Sequence, residues 1–284
     1  MDAGHAADDF RRACLEAARQ ALDEDLRSDG DITSRSIFTD DETAAGAFML
    51  RAPGVIAGLP CAQAVFALLS PEVEFTPRVA DGQSLAAGAV LAVVKGPIIP
   101  ILEGERTALN FLGHLSGIAT LTSEYVRLAG RHGVRIKDTR KTTPGLRSLE
   151  KYAVRAGGGL NHRAGLYDAV LIKDNHVRVA GGVGNAVRAA RDQLGPDVPI
   201  EVEVETLEDL IEAIEASADT VLLDNMDVTV MAEAVQLADG RVKLEASGGI
   251  DLNNVEEIAA TGVDHISIGA LTHSAPSLDV ALDI

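Results

Sequence analysis

Between Lys137 and His176 the chain gathers groups that could hold a small, multiply charged anion. The stretch contains eight Lys or Arg (137, 140, 141, 147, 151, 155, 163, 173) against four acids (138, 150, 168, 174), a local net of +4. The whole chain carries 43 acids and 25 bases, for −18, so the remainder sums to −22. Cations concentrated against such a background suggest a pocket rather than a solvated surface. Arg140 and Lys141 follow a strand-like run. Arginine offers a planar fork for carboxylate or phosphate, and lysine a mobile point charge. A lone basic pair at a loop is usually a solvated turn; Asn161-His162-Arg163 and Lys173 in the same block weigh against that here.

Two glycine motifs, Ser247-Gly248-Gly249 and Gly269-Ala270, follow strand-like runs near the end of the chain. Glycine there lets backbone N–H groups approach a phosphate, and late loops of an α/β barrel are the usual phosphate site. Either motif alone is equally a plain turn; the pair favours phosphate. Glu201, Glu203 and Glu205 alternate along one strand-like run, which puts their side chains on one face. Adjacent like charges are costly unless cations compensate. Glu203 with Asp224, at the end of the next run, reads as a site for Mg²⁺ or ribose hydroxyls, since hard cations take carboxylate oxygens. A structural ion-pair network is the alternative. His162 and His176 by themselves read as ordinary loop histidines. They have no zinc spacing with each other or with Cys14 and Cys61.

These groups need a scaffold. Residues 7–26 place Phe10, Cys14, Ala17, Ala18, Ala21 and Leu22 on one helical face. Residues 44–96 hold short β-like runs with turn signals, a small α+β domain. Residues 103–130 read as one or two helices, with Leu109, Leu112, Leu115 and Ile118 at helical spacing. From 134 onward six short strands, at 134–136, 169–172, 200–204, 220–223, 242–246 and 265–268, alternate with helical stretches and run into polar or glycine residues. A parallel α/β barrel with its active face at the strands' carboxyl ends explains this. A doubly wound sheet is the runner-up, without a glycine fingerprint after its first strand.

Composition sets outer bounds. Aromatics make up 3% with no Trp, and with −18 net charge this argues against nucleic-acid binding. The charged first 26 residues do not read as a signal peptide, and the longest apolar run, 85–94, is too short to span a bilayer. Two scattered cysteines fit a reduced, cytoplasmic protein.

Taken together the motifs resemble one family. Thr139-Arg140-Lys141-Thr142-Thr143-Pro144-Gly145-Leu146-Arg147, Glu150-Lys151-Tyr152-Ala153-Val154, Gly157-Gly158-Gly159 with Asn161-His162-Arg163, and Leu171-Ile172-Lys173-Asp174-Asn175-His176 are similar to the quinolinate phosphoribosyltransferases. So are Gly30-Asp31-Ile32-Thr33, Glu105-Arg106-Thr107-Ala108-Leu109-Asn110 and Glu245-Ala246-Ser247-Gly248-Gly249-Ile250; Gly113-His114 departs from the pattern, where a bulkier pair is expected. The resemblance implies an N-terminal α/β sandwich domain over 1–115, with the tail 275–284 returning to it. It also implies an incomplete α/β barrel over 116–274, of the type II phosphoribosyltransferase kind. It further implies a cytoplasmic homodimer with shared active sites, or a higher oligomer. The reaction would join quinolinate to phosphoribosyl pyrophosphate with Mg²⁺, giving nicotinate mononucleotide, pyrophosphate and CO₂ in NAD biosynthesis. By resemblance, Arg140, His162, Arg163 and Lys173 hold the quinolinate carboxylates, with Asn175 and His176 nearby and Arg106 donated by the partner. Lys141 faces the phosphates, Glu203 and Asp224 hold Mg²⁺ and the ribose hydroxyls, and Ser247, Gly248, Gly249 and Gly269 cradle the 5′-phosphate.

Three other readings stay open from the residues. Lys173 or Lys141 could be the Schiff-base amine of a barrel aldolase or isomerase. The pocket could sense pyridine carboxylates or sugar phosphates without turnover, though paired carboxylates are ill suited to simple anion capture. A related transferase could act on a different aromatic acid.

Overall fold

The computed structural model describes residues 3–284; Met1 and Asp2, the start of the expected first domain, lie outside the described residues. The chain divides into two compact units. One holds the residues through Ser123 with Thr142–Gly158 and Leu271–Ile284; the other holds Glu124–Lys141 and Gly159–Ala270. Elements are numbered in chain order.

The first unit begins with α1 (Ala3–Leu26) and the short α2 (Ser34–Ile37). Cys14, Ala18 and Leu22, four residues apart, form the buried stripe of α1, as the spacing predicts. Then come β1 (Thr43–Leu50), β2 (Gly54–Val55), α3 (Leu59–Leu69), β3 (Glu74–Pro77), β4 (Ser84–Leu85) and β5 (Val90–Pro97). Helix α3 has no counterpart in the sequence reading. It is apolar almost all round, so it shows no polar stripe, and it starts with Pro60 after Gly58 in a left-handed conformation (φ 104°). Asp81 satisfies that start, accepting from the backbone N–H groups of Gly58 and Leu59 at 3.0 and 3.3 Å. Phe48, Phe66 and Phe75 pack with ring centroids 5.6–6.0 Å apart and centre the core.

The long α4 (Ile98–Ala129) buries Leu109, Leu112, Leu115 and Ile118; the expected boundary at 115/116 falls inside it. Helix α5 (Arg147–Ala156) belongs to this unit, where Tyr152 stacks on Phe10 and donates to Asp81 at 2.8 Å. The tail runs against α4 so closely that a Cβ on Gly117 would stand 2.1 Å from the Pro276 carbonyl oxygen. It ends as β12 (Val280–Asp283), an edge strand of the antiparallel sheet β12-β1-β5-β3; β2 and β4 pair separately. Cys14 and Cys61 are free and buried, their sulfurs 2.7 Å apart, and the Cys61 thiol is pushed well up by its hydrogen bond to Cys14 and by burial.

The second unit is built on β6 (Arg135–Lys137), β7 (Val170–Ile172), β8 (Ile200–Val204), β9 (Thr220–Asp224), β10 (Lys243–Ser247) and β11 (His265–Ser267). They form one parallel sheet in the order β6-β11-β10-β9-β8-β7. This is the cyclic order of an α/β barrel, open between β6 and β7, and not the order of a doubly wound sheet. A parallel bridge between Lys137 and Leu160 lies on the open edge of β6. Between strands run α6 (Asp174–Ala180), α7 (Val183–Leu194), α8 (Leu207–Glu215), α9 (Val228–Ala238) and α10 (Val255–Ala260), with α11 (Ala270–His273) after β11. Local chemistry sets the starts of two of them: Thr206 Oγ1 accepts from Asp209 N at 3.1 Å and Asp227 Oδ1 from Val230 N at 2.9 Å.

Along β8, Ile200, Val202 and Val204 are buried on one face, so Glu201 and Glu203 share the other. Glu205 lies beyond the strand and is exposed, which removes the third member of the expected alternating row. Glu245 on β10 is fully buried and forms an ion pair with Lys137 on β6. Removing one partner of a buried pair strands the other charge, so Lys137→Met is expected to lower unfolding free energy by about 3–5 kcal/mol. Urea denaturation at neutral pH measures this; an unchanged midpoint would show that Glu245 needs no ammonium.

Candidate anion-binding site

The carboxyl ends of the parallel strands open into a cleft of about 520 Å³ within the second unit. Thr139, Arg140 and Lys141 enter after β6, His162 and Arg163 before β7, and Lys173 after it. Glu203 comes from β8, Leu222, Asp224 and Asn225 from β9, Ser247-Gly248-Gly249 from β10, and Ser267 from β11. Apart from His162 and Arg163, which lie in the connection before β7, each polar group thus sits at or just past the end of a strand. The structure therefore brings together ten of the residues picked from sequence: 140, 141, 162, 163, 173, 203, 224, 247, 248 and 249.

It does not bring in the others. Asn175 and His176 lie on α6, exposed and outside the cleft lining. His176 works locally, its Nδ1 accepting from the Lys173 backbone N–H at 2.9 Å, and Asn175 Oδ1 accepts from Arg178 at 3.3 Å. Gly269 follows β11 but is not part of the lining. Arg106 is exposed on α4 in the first unit. The cationic block also divides. Arg147, Lys151 and Arg155 belong to the first unit, where Arg147 donates to Thr142 and Arg155 lies over the Tyr152 ring. Sequence proximity overstated the pocket: Lys137 is engaged by Glu245, and four cations, Arg140, Lys141, Arg163 and Lys173, line it.

Those four face two carboxylates. Lys173 Nζ lies 3.2 Å from Glu203 Oε2, and Asp224 Oδ2 accepts from Asn225 Nδ2 at 2.9 Å. Partial burial and the neighbouring Arg140 guanidinium pull Arg163 below its usual range, against the opposing charge of Glu201. A shared anion would relieve that repulsion. On the opposite wall, Asn225 adopts a left-handed conformation (φ 54°) and donates its backbone N–H to Ser247 O at 2.9 Å. Its side chain packs onto Gly248 (φ 93°), where a Cβ would come within 2.1 Å of Asn225 Oδ1. Glycine is required there, and the turn is left as backbone.

Beneath the cleft lies a buried polar cluster that sequence reasoning missed. His162 Nε2 is 3.0 Å from Glu201 Oε2 and 3.7 Å from Glu245 Oε1. Burial alone would raise the Glu201 carboxyl, but His162 and Lys137 outweigh it and hold it below the usual range; Glu245 is raised by burial and by the charge of Glu201. The ligand atoms of His162, Glu201 and Glu245 lie within 4.8 Å of one another. The cation that already serves this cluster is the Lys137 ammonium, which argues against a metal there. Asp138, fully buried, accepts from Asn161 Nδ2 at 2.6 Å and from His162 N at 2.8 Å. Its position straight after β6 was visible in the sequence, but its burial was not.

The first unit contains a larger cavity, about 610 Å³, between α1, α4 and residues 143–148. Its lining has the carboxylates Glu16 and Glu24 and one imidazole, His114, with no lysine or arginine, so it does not suit an anion. His114, part of the pair that departs from the family pattern, lies 2.9 Å from the buried Glu150 carboxylate, which also accepts from Thr143 N at 3.0 Å.

Comparison with known proteins agrees with this architecture. The chain matches the family models for the quinolinate phosphoribosyl transferase N-terminal domain over residues 31–116 and C-terminal domain over 118–283. It is 46% identical over 255 residues to a probable nicotinate-nucleotide pyrophosphorylase (carboxylating) of Bacillus subtilis, covering 90% of this chain and 88% of that one. Identity to the nicotinate-nucleotide pyrophosphorylase (carboxylating) of Mycobacterium leprae is 45% over 279 residues, 96% and 97% of the two chains. The solved nicotinate-nucleotide pyrophosphorylase of Francisella tularensis superposes with a TM-score of 0.92 at 41% identity, covering 96% of each chain. The chain belongs to the quinolinate phosphoribosyltransferase family.

Proposed function

We propose that the cleft transfers phosphoribosyl from phosphoribosyl pyrophosphate to quinolinate, with loss of CO₂, to give nicotinate mononucleotide and pyrophosphate for NAD biosynthesis. One observation carries this reading: two guanidiniums and two ammoniums converge on the same mouth as two carboxylates and a glycine turn. Quinolinate brings two carboxylates, and phosphoribosyl pyrophosphate brings phosphates at both ends of a ribose. Arg140, Arg163 and Lys173 suit the dicarboxylate, and Lys141 the pyrophosphate. Ser247, Gly248 and Gly249 suit the 5′-phosphate, and Glu203 and Asp224 the ribose hydroxyls.

The chemistry asks for positioning and fixed charge. The C1′–oxygen bond to pyrophosphate breaks, its electron pair leaving with the pyrophosphate, as the ring nitrogen of quinolinate bonds to C1′. Lys141 stabilises the charge that departs, and the Glu203 and Asp224 carboxylates face the positive ribosyl centre. The carboxylate next to the ring nitrogen then leaves as CO₂. Its bonding electrons stay on the ring carbon, stabilised by the cationic nitrogen, until a solvent proton arrives.

Glu203 and Asp224 bring carboxylate oxygens to adjacent strand ends, a hard donor pair that fits Mg²⁺; when bound it would neutralise the pyrophosphate. Lys173, now paired with Glu203 at 3.2 Å, would be free to turn to a quinolinate carboxylate where Glu203 held a cation. We further infer a cytoplasmic homodimer in which the exposed Arg106 of each subunit serves the other's cleft. Among the described residues no helix is long and apolar enough to cross a membrane.

The test is chromatography of products from protein, Mg²⁺, phosphoribosyl pyrophosphate and either quinolinate or nicotinate. Nicotinate mononucleotide from quinolinate alone supports the reading; no nucleotide from either acid overturns it, and an adduct trapped by borohydride on Lys173 or Lys141 would favour an aldolase. Arg140→Ala is expected to weaken quinolinate binding by about 2–5 kcal/mol by calorimetry, and an unchanged Kd removes Arg140 from the acid site. Glu203→Ala is expected to spare quinolinate binding and slow transfer, so wild-type turnover in that variant removes Glu203 from the mechanism.

A further inference from the structure

His162 lines the cleft, yet its imidazole is engaged by protein on both edges. Nδ1 accepts the backbone N–H of Arg163 at 2.7 Å, so in the neutral ring the proton resides on Nε2. Nε2 lies 3.0 Å from Glu201 Oε2, within ion-pair distance, with Glu245 Oε1 at 3.7 Å. The backbone N–H of His162 donates to Asp138 at 2.8 Å. Residues 162 and 163 are therefore pinned from below by buried carboxylates, and the next group outward is the Arg163 guanidinium, which shares the cleft with Arg140.

Glu201 needs an explanation. It is a nearly buried anion under a pocket for anions, two residues from Glu203 on the same strand face. Burying a carboxylate is costly, and a barrel interior can be filled with apolar side chains instead. Glu201 lies beneath His162, so contact with the substrate does not explain it. Lys137 bonds to Glu245, so metal ligation does not explain it either.

We propose that Glu201 is a positioning residue for the acid-binding part of the site: through His162 it fixes the backbone at 162–163, and with it the approach of Arg163 to a substrate carboxylate. The inference rests on the reading that quinolinate binds this cleft. A small displacement of a binding group by a change outside the contact shell is enough to lose a large part of its effect. The charge of Glu201 also opposes the depression of Arg163 described above, so the same carboxylate holds the guanidinium electrostatically.

The test compares E201A and E201Q with the wild-type protein in steady-state kinetics for each substrate, alongside thermal melts. E201A is expected to raise KM for quinolinate roughly tenfold or more, with KM for phosphoribosyl pyrophosphate within about twofold. E201Q keeps a side chain of the same length, with an oxygen beside Nε2, and is expected to recover most of that loss. If E201A fails to fold, E201D, whose shorter arm withdraws the carboxylate from His162, is expected to show the same selective rise. An unchanged quinolinate KM in E201A overturns the proposal. So does a parallel rise for both substrates, or an E201Q as impaired as E201A, since a merely structural carboxylate would act on both. If the wild-type protein does not consume quinolinate, the functional reading fails separately.

Discussion

Charge held out of water inside the barrel is the constraint on which the second unit depends. Strand alternation on β8 sends Glu201 and Glu203 to the same side, and β10 adds Glu245, fully buried. Unpaired, these carboxylates would oppose folding. The structure answers each with a cation or a donor: Lys137 for Glu245, His162 for Glu201, Lys173 for Glu203. The partners come from β6, from the segment before β7 and from the end of β7. Electrostatic compensation thus links strands on both sides of the opening in the barrel, β6 to β10 and the end of β7 to β8, while Leu160 adds backbone hydrogen bonds along the open edge of β6.

The same compensation grades from structural to functional with exposure. Lys137 and Glu245 are a closed pair, the carboxylate fully buried. His162 and Glu201, both nearly buried, are held against each other, and His162 against the backbone of Arg163. At the mouth, Lys173 is half-exposed in its pair with Glu203. A pair with one half-exposed member is worth less than a buried one, so it is the pair best able to exchange partners. Tight pairs below keep the scaffold rigid while loose pairs above stay available. The division suits a transfer reaction that gains its rate from fixed charges rather than from covalent intermediates.

The glycine wall of the cleft follows a different rule, in which backbone replaces side chain. Gly248 leaves no room for a Cβ because Asn225 packs against it, and Asn225 is itself tied to the end of β10 through Ser247. Neighbouring strand ends therefore shape one another: a side chain at Gly248 would collide with Asn225, while Gly249 has open space but a left-handed backbone (φ 61°). The first unit shows the same economy at Gly117, where the returning tail crosses α4 almost in contact with it.

Much of this was legible in the residues. The buried stripe of α1, the six parallel strands and ten of the cleft residues follow from periodicity and from polar residues at strand ends, because both are local properties of the chain. What failed was non-local. Eight cations in one stretch looked like one pocket, but Arg147, Lys151 and Arg155 fold into the first unit and Lys137 turns inward. Asn175 and His176 share a motif with Lys173, yet a helix starting at Asp174 carries them away from the cleft. Helix α3 was invisible because it is apolar almost all round and so shows no polar stripe. Sequence by itself determined which residue types stand at the ends of which strands, since alternation and turn chemistry are written over a few positions. Only the tertiary structure decided which charges neutralise each other and which face the cleft, because partners such as Lys137 and Glu245 are 108 residues apart and meet only when the sheet forms.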